Sequence, residues 1–283
     1  MSTQQQPTQQ EQPVSEAPRI VLPRTPIAAT TTWPKNLVIF SKPKTGKSTL
    51  FAKLPRCLIL DLEHGTDFLE AVKIKAGSIQ DIWAIGAQIV AEGYPYQFIA
   101  VDTITKLEEM CLPYAEHLYS QTAMGKNWFT PDVGGKAQYG SILNMPKGSG
   151  YPWLTKAMKL VIAYISTLAP NIILSGHIKL VQYEKAGGEF SATDLNLTGK
   201  IKGDVCADSD AIGYLYRKGN QNILSFKTTD EIVCGARPQH LRNAEIILSE
   251  YDEATDAIKT NWKAIYPSKK QQQPQGQEYQ TAA

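Results

Sequence analysis

The chain has 283 residues, of which 42% are hydrophobic and 20% are charged, as in ordinary globular proteins. Its net charge of +2 excludes a strongly basic overall surface, so any nucleic-acid site must be a local patch. Four scattered cysteines argue against a disulfide scaffold, and no apolar run reaches the roughly 18 residues of a membrane span. We therefore expect a cytoplasmic protein without membrane contact.

Both ends of the chain are rich in Gln and Pro and poor in large apolar side chains. Segments of this composition bury too little apolar surface to offset the entropy of ordering. The sequence thus predicts a disordered N-terminal arm over 1–32, one domain over 33–266 and a disordered tail over 267–283. The tails are candidate binding segments for a single-strand-binding or replication protein.

The domain begins with an apolar run at 37–41 that leads into the sequence S-K-P-K-T-G-K-S at 41–48. A strand, a tight loop and a helix opened by Gly-Lys-Ser form the context of a phosphate-binding P-loop, whose N–H groups face anionic oxygens. The predicted nucleotide-binding residues are Ser41, Lys42, Pro43, Lys44, Thr45, Gly46, Lys47, Ser48 and Thr49. Lys47 is expected to reach the β- and γ-phosphates, and the Ser48 hydroxyl to ligate Mg²⁺. The motif normally opens with glycine, so the Cβ of Ser41 is expected to restrict the loop and weaken nucleotide binding.

The second predicted strand, 57–61, ends at Asp61 and is followed by Glu63. Carboxylates at the C-terminal end of a parallel strand face the crevice in which ligands of open α/β sheets bind. Side chains two apart in a strand share a face, so either carboxylate could activate the attacking water. Glu63 is the first candidate for this role and Asp61 the alternative.

Two further strands end in polar residues. A helix predicted at 79–92, capped by Ser78, precedes a strand at 97–102 that closes with Asp102, the candidate that holds Mg²⁺ through water. After helices predicted at 104–118 and 153–168, the strand 171–176 runs into His177. A polar side chain there lies beside the γ-phosphate, so His177 is a candidate phosphate sensor, with a structural role as the alternative.

The alternation of strands and helices predicts an α/β domain with a mainly parallel sheet covered by helices on both faces. Strand-like pieces at 180–183, 211–216 and 222–226 are joined by short turns. This second pattern predicts an antiparallel C-terminal extension of the same sheet.

In combination, the P-loop, D-L-E-H at 61–64, D-T at 102–103 and S-G-H at 175–177 resemble the RecA-type ATPase core. Residues 208–217 resemble the matching strand of RecA-like replicative helicases, and the compact size and G-K-I-K at 199–202 are most similar to phage-encoded minimal RecA-core proteins. The resemblance covers roughly residues 35–250 and matches Glu63 to the catalytic glutamate. It implies an ATPase that uses ATP and Mg²⁺, forms a homo-oligomer and promotes annealing or recombination of single-stranded DNA, in the host cytoplasm if phage-encoded. No amphipathic helix precedes the core, so RecA-style filaments are not predicted.

The resemblance also places DNA-contacting loops at residues 119–150 and 179–202. Aromatic rings can stack on bases while ammonium groups neutralise phosphates. The candidate residues are Lys126, Trp128, Phe129, Lys136 and Tyr139 in the first segment, and Lys185, Lys200 and Lys202 in the second. The alternative interpretation is that both segments are surface insertions.

ATPases of this type often receive a cation from a neighbouring subunit, which stabilises charge on the transferred phosphoryl group. The candidates are Lys227 and Arg237. Replicative helicases carry Lys-x-Arg near Lys227. This chain has Thr229 where that motif has its arginine, which argues against a helicase motor. Two alternative functions remain: a nucleotide-switched interaction module that binds no DNA, and a ring-type helicase loader or motor.

Overall fold

The computed structural model describes residues 22–127, 141–185, 188–229 and 232–267, with side chains except those of 183–191. The chain divides into the units Met1–Thr31 and Thr32–Ala283. In the first unit, the described residues 22–31 contain no helix or strand. Because most of the predicted arm (1–32) and tail (267–283) lies outside the described residues, their disorder stays a prediction.

The second unit contains the strands and helices. The strands are β1 (Asn36–Ser41), β2 (Cys57–Asp61), β3 (Lys73–Lys75), β4 (Phe98–Asp102), β5 (Asn171–Lys185), β6 (Gly188–Leu195), β7 (Ala211–Lys218), β8 (Gln221–Ser225), β9 (Gly235–Ala236), β10 (Glu245–Asp252) and β11 (Ala257–Thr260). The α-helices are α1 (Lys47–Ala52), α2 (Ile79–Ala91), α3 (Ile104–Ser120), α4 (Tyr151–Ile165) and α5 (Gly199–Asp208).

The centre of the sheet is parallel and has the order β3-β2-β4-β5-β1-β7. Strands β1, β2 and β4 are apolar runs buried over nearly their whole length, as expected for strands covered on both faces. Their side chains alternate between two cores: Val38 and Phe40 pack with α2, α3 and α4, whereas Leu37 and Ile39 pack with α1. The predicted α/β fold with a mainly parallel sheet is confirmed.

Strands β8, β10 and β11 continue the sheet in antiparallel fashion beyond β7. The prediction of an antiparallel extension is wrong for 211–216, because β7 pairs parallel to β1 and so belongs to the central sheet. It is also wrong for 180–183 as a separate strand. Strand β5 runs without a break from Asn171 to Lys185, and its outer half pairs with β6 in an antiparallel hairpin.

The predicted helices exist with small shifts in their ends. Ser78 caps α2 as predicted: its hydroxyl accepts the Asp81 N–H, while the Asp81 carboxylate accepts the Ser78 N–H. Helix α5 was not predicted, because it contains two glycines and is mostly polar. Among the described residues, no helix combines the length and the apolar character that a bilayer span requires.

Candidate nucleotide site

The P-loop connects β1 to α1, which begins at Lys47. Gly46 has a φ of 103°, a left-handed conformation that favours glycine. A Cβ on Gly46 would also lie 3.3 Å from Nδ2 of Asn222. Both the backbone conformation and this contact explain why the position needs glycine. The Thr45 hydroxyl donates to the Lys42 carbonyl (2.7 Å) and closes the turn.

Ser41, where the motif normally has glycine, is fully buried at the end of β1. It is paired with His177 on one side and Leu215 on the other, so its backbone is regular strand and tolerates a Cβ. The expectation that the Cβ restricts the loop is therefore wrong. The Ser41 hydroxyl donates to the Lys42 carbonyl (2.9 Å) and accepts a hydrogen bond from the Lys47 ammonium (3.0 Å).

Lys47 is a buried cation at the base of the loop. Burial lowers the pKa of its ammonium, and the charges of Asp102 and Glu63 oppose that effect. A positive charge held in a low-dielectric position beside loop N–H groups attracts an anionic ligand more strongly than a solvated lysine would.

Asp102 ends β4 beside the P-loop helix. One carboxylate oxygen, Oδ2, accepts the Ser48 hydroxyl, and the other, Oδ1, accepts the Ser175 hydroxyl at 2.7 Å. Mg²⁺ prefers hard oxygen ligands and keeps several waters, so a serine hydroxyl next to a carboxylate fits this ion. Ser48 would bind it directly, and Asp102 through water.

Glu63, just after β2, contacts His177, which lies midway along β5. Glu63 Oε1 accepts the Thr103 hydroxyl (2.6 Å) and lies 2.9 Å from His177 Nε2. A carboxylate can only accept, so the His177 ring must carry its proton on Nε2 for this bond. The opposite ring nitrogen, Nδ1, is buried without a hydrogen-bond partner among the described residues, and the neutral Nε2–H tautomer leaves no N–H unsatisfied there.

Asp61, the alternative base, is held by hydrogen bonds from the loop that follows β2. Its buried carboxylate accepts the N–H groups of Gly65 (3.2 Å) and Thr66 (3.1 Å) and the Thr66 hydroxyl (2.6 Å). These bonds shape the loop that follows β2. Both carboxylates line the cleft, but Glu63 is more than one-third exposed whereas Asp61 is buried.

These side chains line one cleft of about 600 Å³. Its lining includes most of the P-loop, together with Asp61, Glu63, Asp102, His177 and the fully exposed Phe68. The volume falls in the range of small-molecule sites, and a cation, a carboxylate and the Ser48–Asp102 pair suited to Mg²⁺ converge on it.

A protein-family model described as an AAA domain matches residues 34–237 of the chain. The chain belongs to this family. Membership makes it an AAA-type P-loop domain, the class that binds nucleotide with Mg²⁺ and generally hydrolyses it. A search of curated proteins found no match.

The structure describes only some of the predicted DNA-contacting residues. Trp128, Phe129, Lys136 and Tyr139 lie outside the described residues, as does the Lys185 side chain. Lys126 and Lys200 are exposed, but Lys202 forms an ion pair with Asp194 (2.5 Å). The segment 179–202 is largely regular structure, since it contains the end of β5, all of β6 and the start of α5.

The two candidate cations for a neighbouring site have partners within the same chain. Lys227 forms an ion pair with Glu245 (2.6 Å). Arg237 pairs with Asp210 (3.1 Å) and also donates to the Ala207 carbonyl (2.6 Å). Acting on a neighbouring subunit would require each cation to leave these partners, and both roles stay predictions.

Two residues of the site, Thr103 and Ser175, were not among the predicted site residues. Thr103 directly follows Asp102 in the sequence, so its place near the site could have been predicted. Its hydroxyl donates to the Glu63 carboxylate and accepts the Lys106 N–H at the start of α3. The role of Ser175 could not be predicted from local sequence, because its contact with Asp102 depends on β4 and β5 being neighbours in register.

Asp61→Asn is expected to lower the free energy of unfolding by about 1–3 kcal/mol, because the amide replaces a buried acceptor of three hydrogen bonds. Denaturant unfolding measures this change. Glu63→Gln is the matched control and should stay within about 0.5 kcal/mol of wild type, because its side chain is partly exposed. A stable Asp61→Asn variant that had lost hydrolysis would instead identify Asp61 as the base.

Proposed function

We propose that the protein is a RecA-like ATPase that binds ATP with Mg²⁺, hydrolyses it and couples the cycle to annealing or recombination of single-stranded DNA. The observation that carries the nucleotide half is the convergence of Lys47, Asp102 and Glu63 on one cleft. The resemblance of the sequence motifs to the RecA-type core supports the DNA half.

In the proposed reaction, the P-loop amides and the Lys47 ammonium bind the β- and γ-phosphates. A bound Mg²⁺ would neutralise phosphate charge. Glu63 accepts a proton from the attacking water, and Thr103 and His177 orient its carboxylate through the hydrogen bonds described above. Because His177 bonds to Glu63 and ends the inner part of β5, it can also report whether the γ-phosphate is present.

Strand β5 supports the link to DNA. It passes from Ser175 and His177 in the site directly into the hairpin with β6. Lys179 donates to the Leu197 carbonyl (2.6 Å), and the Lys202–Asp194 pair joins the hairpin to α5. Strand β5 and these side-chain contacts thus connect the nucleotide site to the hairpin and to α5, which carries the exposed Lys200. In this proposal, Lys126 and Lys200 contact DNA phosphates.

Fluorescence anisotropy of a labelled single-stranded oligonucleotide tests this proposal. We expect binding that depends on ATP and weakens with salt, because phosphate contacts release counterions. Lys126→Ala combined with Lys200→Ala should reduce the slope of log affinity against log salt by about 0.7 for each phosphate that is no longer neutralised. Lys263→Ala, at an exposed cation of the C-terminal segment, is the control.

Absence of salt-sensitive binding by the wild type would contradict the DNA proposal and favour the nucleotide-switched interaction module. Strand displacement with ATP would favour a motor. A homo-oligomer and a replication partner for the tails remain part of the proposal, and sedimentation with and without ATP tests the first.

A further inference from the structure

A second cavity lies beside the P-loop, on the opposite side of β1 from Glu63. It has a volume of about 420 Å³ and lies between the ends of β7, β8 and β10. Its lining includes Arg217, Asn222, Ser249, Tyr251 and Glu253. None of these residues has a role in the reaction described above.

The cavity adjoins the P-loop at Gly46. The position that a Cβ would take on Gly46 is 3.3 Å from Nδ2 of Asn222 and 4.0 Å from Nη2 of Arg217. The loop backbone therefore packs directly against two side chains of the cavity wall. Gly46 also lines the nucleotide cleft, so the cleft and this cavity are neighbours at this residue.

The order of the strands sets the direction of a bound nucleotide. Glu63, Asp102 and His177 follow or lie in β2, β4 and β5, which are all on one side of β1. A γ-phosphate next to these groups directs the other end of the nucleotide toward the opposite side of β1. Strands β7, β8 and β10 occupy that side.

Arg217 differs from the other cations considered for the site. Lys202, Lys227 and Arg237 all have carboxylate partners. Arg217 is exposed, takes part in no ion pair among the described residues, and makes one long hydrogen bond from Nε to Asn222 Oδ1 (3.4 Å). Its guanidinium therefore keeps its planar face and most of its donors available for a ligand.

The rest of the wall is fixed. Asn222 is buried and donates to the Ser249 hydroxyl (3.1 Å), and the backbone of Tyr251 is tied to Asn220 by two hydrogen bonds of 3.0 Å. The Tyr251 ring is partly exposed, and its hydroxyl donates to Asp256 (2.9 Å). A fixed aromatic ring and a planar cation are groups that contact nucleobases.

We propose that this cavity is the nucleoside subsite, in which Arg217 and Tyr251 contact the base of the nucleotide whose phosphates the P-loop holds. The inference rests on the proposed function, since it requires a nucleotide at the P-loop. The Glu253 carboxylate in the lining disfavours phosphate and suits hydroxyl or amino donors such as those of ribose and adenine.

The test compares two ligands that share phosphates but differ in the nucleoside: MgATP and magnesium tripolyphosphate, each titrated by calorimetry. Arg217→Ala and Tyr251→Ala should each weaken ATP binding by about tenfold, the effect of one stacking interaction, and leave tripolyphosphate affinity unchanged. Lys218→Ala is the matched control, because Lys218 is the next cation on β7 and does not line the cavity. Arg217→Lys keeps the charge without the planar group, so it should fold like wild type and still lose ATP affinity.

Equal losses of affinity for both ligands in the Arg217 variants would show that Arg217 acts on phosphates and would overturn the nucleoside subsite. Unchanged ATP affinity in Arg217→Lys and Tyr251→Ala would overturn it as well. A wild type that binds neither ligand would instead refute the nucleotide site on which the inference depends. The two failures are therefore distinguishable.

Discussion

Glu63→Gln is expected to lower the rate of ATP hydrolysis by about 10²- to 10⁴-fold while ATP still binds, because the amide cannot accept the proton of the attacking water. The amide oxygen can still accept the Thr103 hydroxyl, so the geometry around the position is retained. Steady-state phosphate release measures the rate, and calorimetry measures the affinity.

The control for this variant is Glu109→Gln. Glu109 is an exposed carboxylate on α3 that pairs with Lys106 and does not line the nucleotide cleft. Its hydrolysis rate should equal that of the wild type. A Glu63→Gln variant with undiminished turnover would show that another group activates the water.

Lys47→Met is expected to reduce ATP affinity by at least about 100-fold, because the P-loop loses its buried positive charge at the phosphates. Methionine fills a similar volume without a charge to bury, so the fold should survive. Calorimetry measures the affinity, and Lys53→Met, at the exposed lysine just after α1, is the control. Wild-type affinity in a folded Lys47→Met variant would refute the P-loop assignment.

The same substitution has a pH signature in stability. Burial lowers the pKa of Lys47 from 10.5, so the folded state holds its ammonium less favourably than the unfolded state does. This penalty is fully present below the folded-state pKa and declines as pH rises toward 10.5. The gain in stability from Lys47→Met should therefore shrink as pH rises through that window, as denaturant unfolding at several pH values would show.

Local sequence signals predicted the elements that carry the phosphate chemistry. The run at 37–41, Gly46-Lys47-Ser48 and the apolar strand closed by Asp102 are all readable within a few residues of chain. Each reflects a local requirement: burial of a central strand, a left-handed glycine, or a polar residue at a strand end.

The features that were missed depend on contacts between distant parts of the chain. The difference in environment between Asp61 and Glu63 comes from the loop that folds back on Asp61, which no alternation pattern reveals. The position of Arg217 beside Gly46 follows from β7 being the neighbour of β1. The parallel pairing of β7 was itself mispredicted, because α5, the crossover helix that precedes β7, was not predicted.

Strand β5 is long enough to enlarge a small rotation at the nucleotide site. From His177 to Lys185 it extends eight residues beyond the site, or about 26 Å at about 3.3 Å per residue. A rotation of about 5° where His177 contacts Glu63 would displace the far end of the strand by about 2 Å. A change too small to alter packing in the sheet would thus become a displacement as large as a hydrogen-bond rearrangement at the hairpin end, where a partner could detect it.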